Sequence, residues 1–144
     1  MDAVAAGRAL ARLSRVIERA VAAGDLTLAQ YRVLVLAAER PQRASALAAQ
    51  ADVKRPTLSA VVHGLERAGM LNRASVADDG RGVQLSLTEH GRHALSQAEA
   101  EMGAQLAVMA DAGGVRLEEL KSGLAGLLTG FETLNRLPGE CDRA

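Results

Sequence analysis

Residues 43–88 read RASALAAQADVKRPTLSAVVHGLERAGMLNRASVADDGRGVQLSLT, and the order of signals in this stretch decides the fold. Ser45 is a good N-cap for a short helix over 45–51, whose Leu47 and small alanines suit close contact with a neighbouring helix. Asp52 falls in the turn that follows, where a left-handed residue is needed and Asp is one of the few non-glycine types that tolerates it. Val53 can plug the angle between the helices. Pro56 stands where a first helical position belongs, because its fixed φ suits a helix start and its missing N–H is no loss there. A second helix therefore begins near residues 55–57. Two helices, a sharp turn and then a hairpin make a winged helix-turn-helix.

In the second helix Leu58, Val61, Val62 and Leu65 recur at i, i+3, i+4 and i+7 and form one apolar stripe, which faces the core. The opposite face carries Pro56, Ala60, His63 and Arg67, with Thr57 and Ser59 flanking it near the N-terminal end. A major groove about 12 Å wide admits a helix only when the presented side chains can approach base edges without bulk, as these can. An ordinary solvated face would look similar. Ala68-Gly69 then ends the helix with a glycine suited to a left-handed cap, and Met70-Leu71 supplies the apolar contact that accompanies such a cap. Residues 71–75 can form a short strand, and Val83, Leu85 and Leu87 alternate with Gln84 and Ser86 as a half-buried second strand does. Between them Asp79-Gly80 signals a turn and Arg81 stands near its tip, which makes a wing.

The segment resembles the MarR family of bacterial transcription regulators. Residues 26–34, LTLAQYRVL, resemble the family's helix before the helix-turn-helix; Leu65-Glu66 and Gly69-Met70-Leu71 match its "LE..GL" run. Asp79-x-Arg81, followed by Val83, Leu85 and Leu87-Thr88-x-x-Gly91, is similar to its wing signature D-x-R…V-x-V-x-L-T-x-x-G. The departures are Gly80 where a second arginine is common, Ala74-Ser75 for a frequent Arg-Pro, and Asp52 for a frequent glycine. The resemblance implies that Asp79 holds the wing arginine Arg81, which enters the minor groove, and that the protein dimerises through its termini. It also implies a repressor tuned by a small molecule wedged between the dimer region and the reading head. The DNA-facing set expected here is Ser45, Arg55, Pro56, Thr57, Ser59, Ala60, His63, Arg73, Asp79 and Arg81, with Arg55 near phosphate or guanine and His63 donating to a purine N7 or O6.

Composition sets the frame for this reading. The chain has 144 residues with one Tyr, one Phe and no Trp, so its core must be aliphatic. No apolar run approaches the roughly 18 residues of a membrane span and the N-terminus lacks a signal sequence, so a cytoplasmic protein without membrane contact is expected. Cys141 is the single cysteine, which excludes an intrachain disulfide and a multi-cysteine zinc site; it reads as an exposed thiol in a frayed tail. The net charge is zero, but it divides unevenly. Residues 43–93 hold seven Lys or Arg against five Asp or Glu, and residues 94–144 hold four against eight. The acidic end should point away from DNA, and the small basic excess of one middle segment favours two copies side by side.

Outside the central stretch the sequence reads as helices. Residues 3–23 form one, with Leu10, Leu13, Ile17 and Ala20 on its apolar face and Arg8, Arg12, Arg15 and Arg19 opposite. That arginine stripe is either a solvated face or a match for acidic residues on a partner's C-terminal helix. Gly24-Asp25 breaks the helix, and Thr27 with Gln30 forms a capping box for a largely buried helix over 28–39. Thr88 caps a long helix over 89–112, with Leu95, Ala98, Met102, Leu106 and Met109 on one side, and Gly113-Gly114 interrupts it. The last helix, 115–137, carries Leu117, Leu120, Leu124, Leu127, Phe131 and Leu134 at steps of three and four before Pro138 ends it. Six such positions exceed what a small domain needs for its own core and point to a dimer interface.

His90 and His93 are spaced like a ligand pair, but no carboxylate or cysteine completes a metal set. No phosphate loop, nucleophile elbow or matched acid-base pair suggests an enzyme, and no cofactor is implied. The reading is a mainly α protein with a small β-hairpin wing, a single domain over 1–144, with dimerisation helices near 3–23 and 89–137 and the winged helix-turn-helix over about 27–88. Its expected partners are double-stranded DNA, a second copy of itself and a small-molecule effector. The alternative is a winged-helix protein-interaction module that does not bind DNA, supported by the neutral total charge and by Gly80.

Overall fold

Local signals place each helix before any packing is considered. A computed structural model describes residues 2–39, 41–43, 46–47, 55–75 and 83–136. Helix α1 spans Ala3–Ala22 and opens at Asp2, whose side chain accepts from the Ala5 N–H at 2.7 Å. It closes by the six-to-one and five-to-two bonds of a Schellman turn: Leu26 N–H donates to the Val21 carbonyl and Asp25 N–H to that of Ala22. The left-handed residue in this turn is Asp25, at φ 56°, and Val21 and Leu26 meet in the core on either side of it. Helix α2, Leu28–Glu39, then starts from the expected capping box, with Thr27 N–H donating to Gln30 Oε1 (2.8 Å) and Gln30 N–H to Thr27 Oγ1 (3.2 Å).

After α2 come a two-residue strand β1 (Gln42–Arg43), the helical residues 46–47, helix α3 (Arg55–Arg67), strands β2 (Leu71–Ser75) and β3 (Val83–Leu87), helix α4 (Glu89–Ala112) and helix α5 (Leu117–Arg136). The sheet is antiparallel in the order β1-β3-β2, with Arg73 opposite Leu85 and Gln42 opposite Leu85 on its other side. The expected wing strands are therefore joined by a third strand that the sequence reading did not find. Gln84 reinforces it by donating from Nε2 to the Pro41 carbonyl at 3.3 Å. Asp52 and Val53, read as the turn of the motif, and Cys141 lie outside the described residues.

Packing divides the chain into two compact units, Met1–Gly103 and Ala104–Ala144. The first has an aliphatic core, as the composition requires: Leu34, Leu47, Leu65, Leu85, Val21 and Val33 are fully buried. Val33, Leu34 and Ala37 of α2 lie at its centre, with α3 and β3 packed against that helix. Ala94, Leu95 and Ala98 close it from the start of α4. Tyr31 sits half-buried at its edge, and burial together with the negative charge of Glu99 raises its hydroxyl pKa above the ordinary 10.0, so it stays neutral at physiological pH. In the second unit α4 ends in another Schellman turn, Val115 N–H to the Ala110 carbonyl at 2.8 Å, and α5 begins two residues later.

The terminal helices keep much of their apolar surface outward. On α1 only Ala20 of the four predicted apolar positions is buried, while Leu10, Leu13 and Ile17 are exposed. On α5 Leu117 and Leu120 are partly covered, but Leu124, Leu127, Phe131 and Leu134 are not.

Candidate nucleic-acid interface

Helix α3 is amphipathic in the way the spacing predicts. Leu58, Val62 and Leu65 are buried and Val61 packs against the core, so the stripe fixes which way the helix faces. Pro56, Thr57, Ser59, Ala60, His63 and Arg67 are all exposed on the other side. Arg55 is the first residue of this helix. Small and polar side chains thus occupy the outer face, with His63 the largest polar group at its middle.

The end of α3 is locked to the wing by backbone chemistry. Gly69 takes φ 68°, and its N–H donates to the Glu66 carbonyl while Met70 N–H donates to that of Leu65, both at 2.9 Å. Met70 is buried beside the turn. From β3, Thr88 returns to the same place: its N–H donates to the Met70 carbonyl at 3.1 Å, and its hydroxyl donates to the Gly69 carbonyl at 2.7 Å while accepting from Gly91 N–H at 3.0 Å. Gly91 passes so close that a Cβ there would sit 2.2 Å from the Met70 carbonyl oxygen. The T-x-x-G run therefore has a physical reason. It pins the start of α4 to the turn between the outer helix and β2.

A second clamp is made by side chains. Arg73 on β2 grips Glu66 of α3 with both ends of its guanidinium, Nε to Oε1 at 2.6 Å and Nη2 to Oε2 at 3.2 Å. Glu66 also faces His63, with Oε2 3.4 Å from Nδ1. Arg73 belongs to the DNA-facing set expected from sequence, and Glu66 has no expected role there beyond the family match. The signal was available: Glu66 lies three residues after His63 on one helix, and Arg73 follows just past a tight glycine turn. Arg92 is similarly engaged, to Glu89 and to the Leu87 carbonyl. Ser45, Asp79 and Arg81 lie outside the described residues.

Among the described residues no group of three or more His, Cys, Asp or Glu side chains could hold a metal ion, and His90 and His93 are exposed. Among them, too, no helix is long and apolar enough to cross a membrane.

An outward helix anchored on a buried stripe, backed by an antiparallel sheet and clamped to it twice, defines a winged helix-turn-helix protein. Residues 26–83 match the model of the MarR family, and the chain as a whole has the fold of MarR family transcription regulators. It is similar to the MarR family transcription regulator SP03579, at 26% identity over 96% of this chain and 92% of that one, with a TM-score of 0.75. The transcriptional repressor CouR bound to a 23-mer DNA duplex is 27% identical over 92% and 90%, with a TM-score of 0.73. NadR in complex with 4-hydroxyphenylacetate is 25% identical over 95% of each chain, with a TM-score of 0.70. No curated protein matches the chain in sequence.

Proposed function

We propose that the chain is a homodimeric repressor that binds a palindromic operator and releases it in response to a small-molecule effector. The observation that carries the proposal is the outer face of α3, where Thr57, Ser59, Ala60 and His63 stand exposed on a helix whose other side is fully committed to the core. In this reading α3 enters the major groove, Arg55 and the first turn meet phosphate, and Arg81 of the wing reaches the adjacent minor groove with Asp79 orienting it. The homodimer is supported by the uncovered leucines of α1 and α5, which a second copy would bury. Two copies also double the small basic excess of each reading head. CouR, a repressor with DNA, and NadR, with a bound aromatic acid, support the repressor and effector roles by analogy. An effector would act by changing the spacing of the two heads, since heads not about 34 to 36 Å apart cannot occupy successive turns of one duplex face.

The experiment is protection of a palindromic site near the protein's own promoter from cleavage, with binding repeated over a series of salt concentrations. A protected palindrome whose affinity falls steeply with salt is expected. Absence of any salt-dependent shift of duplex DNA would favour an interaction module instead.

A further inference from the structure

Glu66 lies beside the outer face of α3, with a side chain 20% exposed against 63% for His63. Both of its oxygens accept from the Arg73 guanidinium, Oε1 from Nε and Oε2 from Nη2, so it meets a neighbouring nitrogen as an acceptor. The nitrogen of His63 that faces it across 3.4 Å is Nδ1, where an accepting carboxylate favours a hydrogen over a lone pair. A neutral imidazole has a single N–H, so a hydrogen on Nδ1 leaves Nε2 as a lone pair at the outer edge of the ring. That edge lies on the same exposed face as Thr57, Ser59 and Ala60. An acceptor offered to the major groove finds partners in the exocyclic amines of adenine and cytosine. It is repelled by N7 and O6 of guanine and by O4 of thymine, which are acceptors themselves.

We infer that Glu66 is a positioning residue for base recognition: by holding the Nδ1–H form of His63 it makes α3 select adenine or cytosine over guanine or thymine at one position of each half-site. The inference rests on the DNA-binding reading above. It differs from the sequence expectation that His63 donates to a purine N7 or O6, which needs the hydrogen on Nε2.

The test is selection of duplexes from a randomised library by the full-length protein at about pH 8, where free imidazole is neutral. Four proteins are compared: wild type, His63→Ala, Glu66→Gln and Arg73→Met. Wild type should enrich adenine or cytosine at one position per half-site, and His63→Ala should lose the preference there and nowhere else. Glutamine can donate its amide hydrogen to Nδ1, so Glu66→Gln should move the hydrogen to Nε2 and shift that position towards guanine or thymine by about fivefold to tenfold, the worth of one hydrogen bond. Arg73→Met should keep the wild-type preference at reduced overall affinity, which separates recognition from loss of the clamp. The inference is overturned if Glu66→Gln binds with the wild-type preference, if Arg73→Met mimics it, or if the position lost in His63→Ala carried guanine or thymine in wild type. The last comparison holds even where Glu66→Gln does not fold. Failure of wild type to enrich any duplex would overturn the DNA-binding reading itself.

Discussion

The underside of α3 and the outer flank of α5 are built from the same kinds of residue at the same helical spacing, yet they meet opposite fates. Leu58, Val62 and Leu65 are no more than 5% exposed, while Leu127, Phe131 and Leu134 are at least 60% exposed. The first set is satisfied by the chain's own α2 and sheet. The second is left uncovered within its own unit, and at about 25 cal/mol per Å² of apolar surface such a stripe favours association. The reading head thus buries its own stripe, whereas the exposed leucines of the terminal helices are what the proposed second copy would cover.

The largest effect should come from the exposed flank. Leu127→Asp places a charge where the partner's apolar surface would close, at a cost of about 3 kcal/mol or more. Light scattering should report monomer or unfolded protein, and a folded dimer would remove α5 from the interface. Next is the clamp behind the head. Gly91→Ala forces a methyl group into the Met70 carbonyl and should lower stability by about 2 kcal/mol through strain, read as a fall in Tm with the oligomeric state unchanged. An unaltered Tm would mean that this junction is loose.

Smaller effects belong to the surface that meets DNA. His63→Ala should cost about 1 kcal/mol on the preferred operator and little on random duplex. Equal weakening on both would demote His63 to a backbone contact. Smallest is the wing. Arg81→Ala should reduce the slope of log affinity against log salt by about one unit for each phosphate interaction lost per subunit, leaving Tm where it was. Asp79→Ala should weaken binding less than that, through a looser arginine.

Much of this architecture was legible because its causes are local. The Thr27 and Gln30 capping box, the Gly69 cap, the alternation in β3 and the 3.6 period of α3 each depend on residues a few positions apart, and each lies where the sequence put it. What was not legible depends on distant partners. Strand β1 is two residues long, too short to show a period, and it exists because Leu85 and Gln84 lie alongside it more than forty residues later. The need for glycine at Gly91 comes from the Met70 carbonyl across the fold rather than from any turn at that position. On α1 the period marked Leu10, Leu13 and Ile17 as one face with Ala20, but only packing shows that the chain buries the alanine and leaves the other three outside.

The central claim is that two reading heads, held together by the terminal helices, engage one duplex at once. The measurement that reaches it most directly is affinity for the selected palindrome as the distance between its half-sites is varied. Inserting five base pairs turns one half-site about half a helical turn away, so the account predicts that affinity collapses to the level of non-specific duplex while protein stability is untouched. Affinity indifferent to the insertion would contradict it, because the heads would then be binding independently.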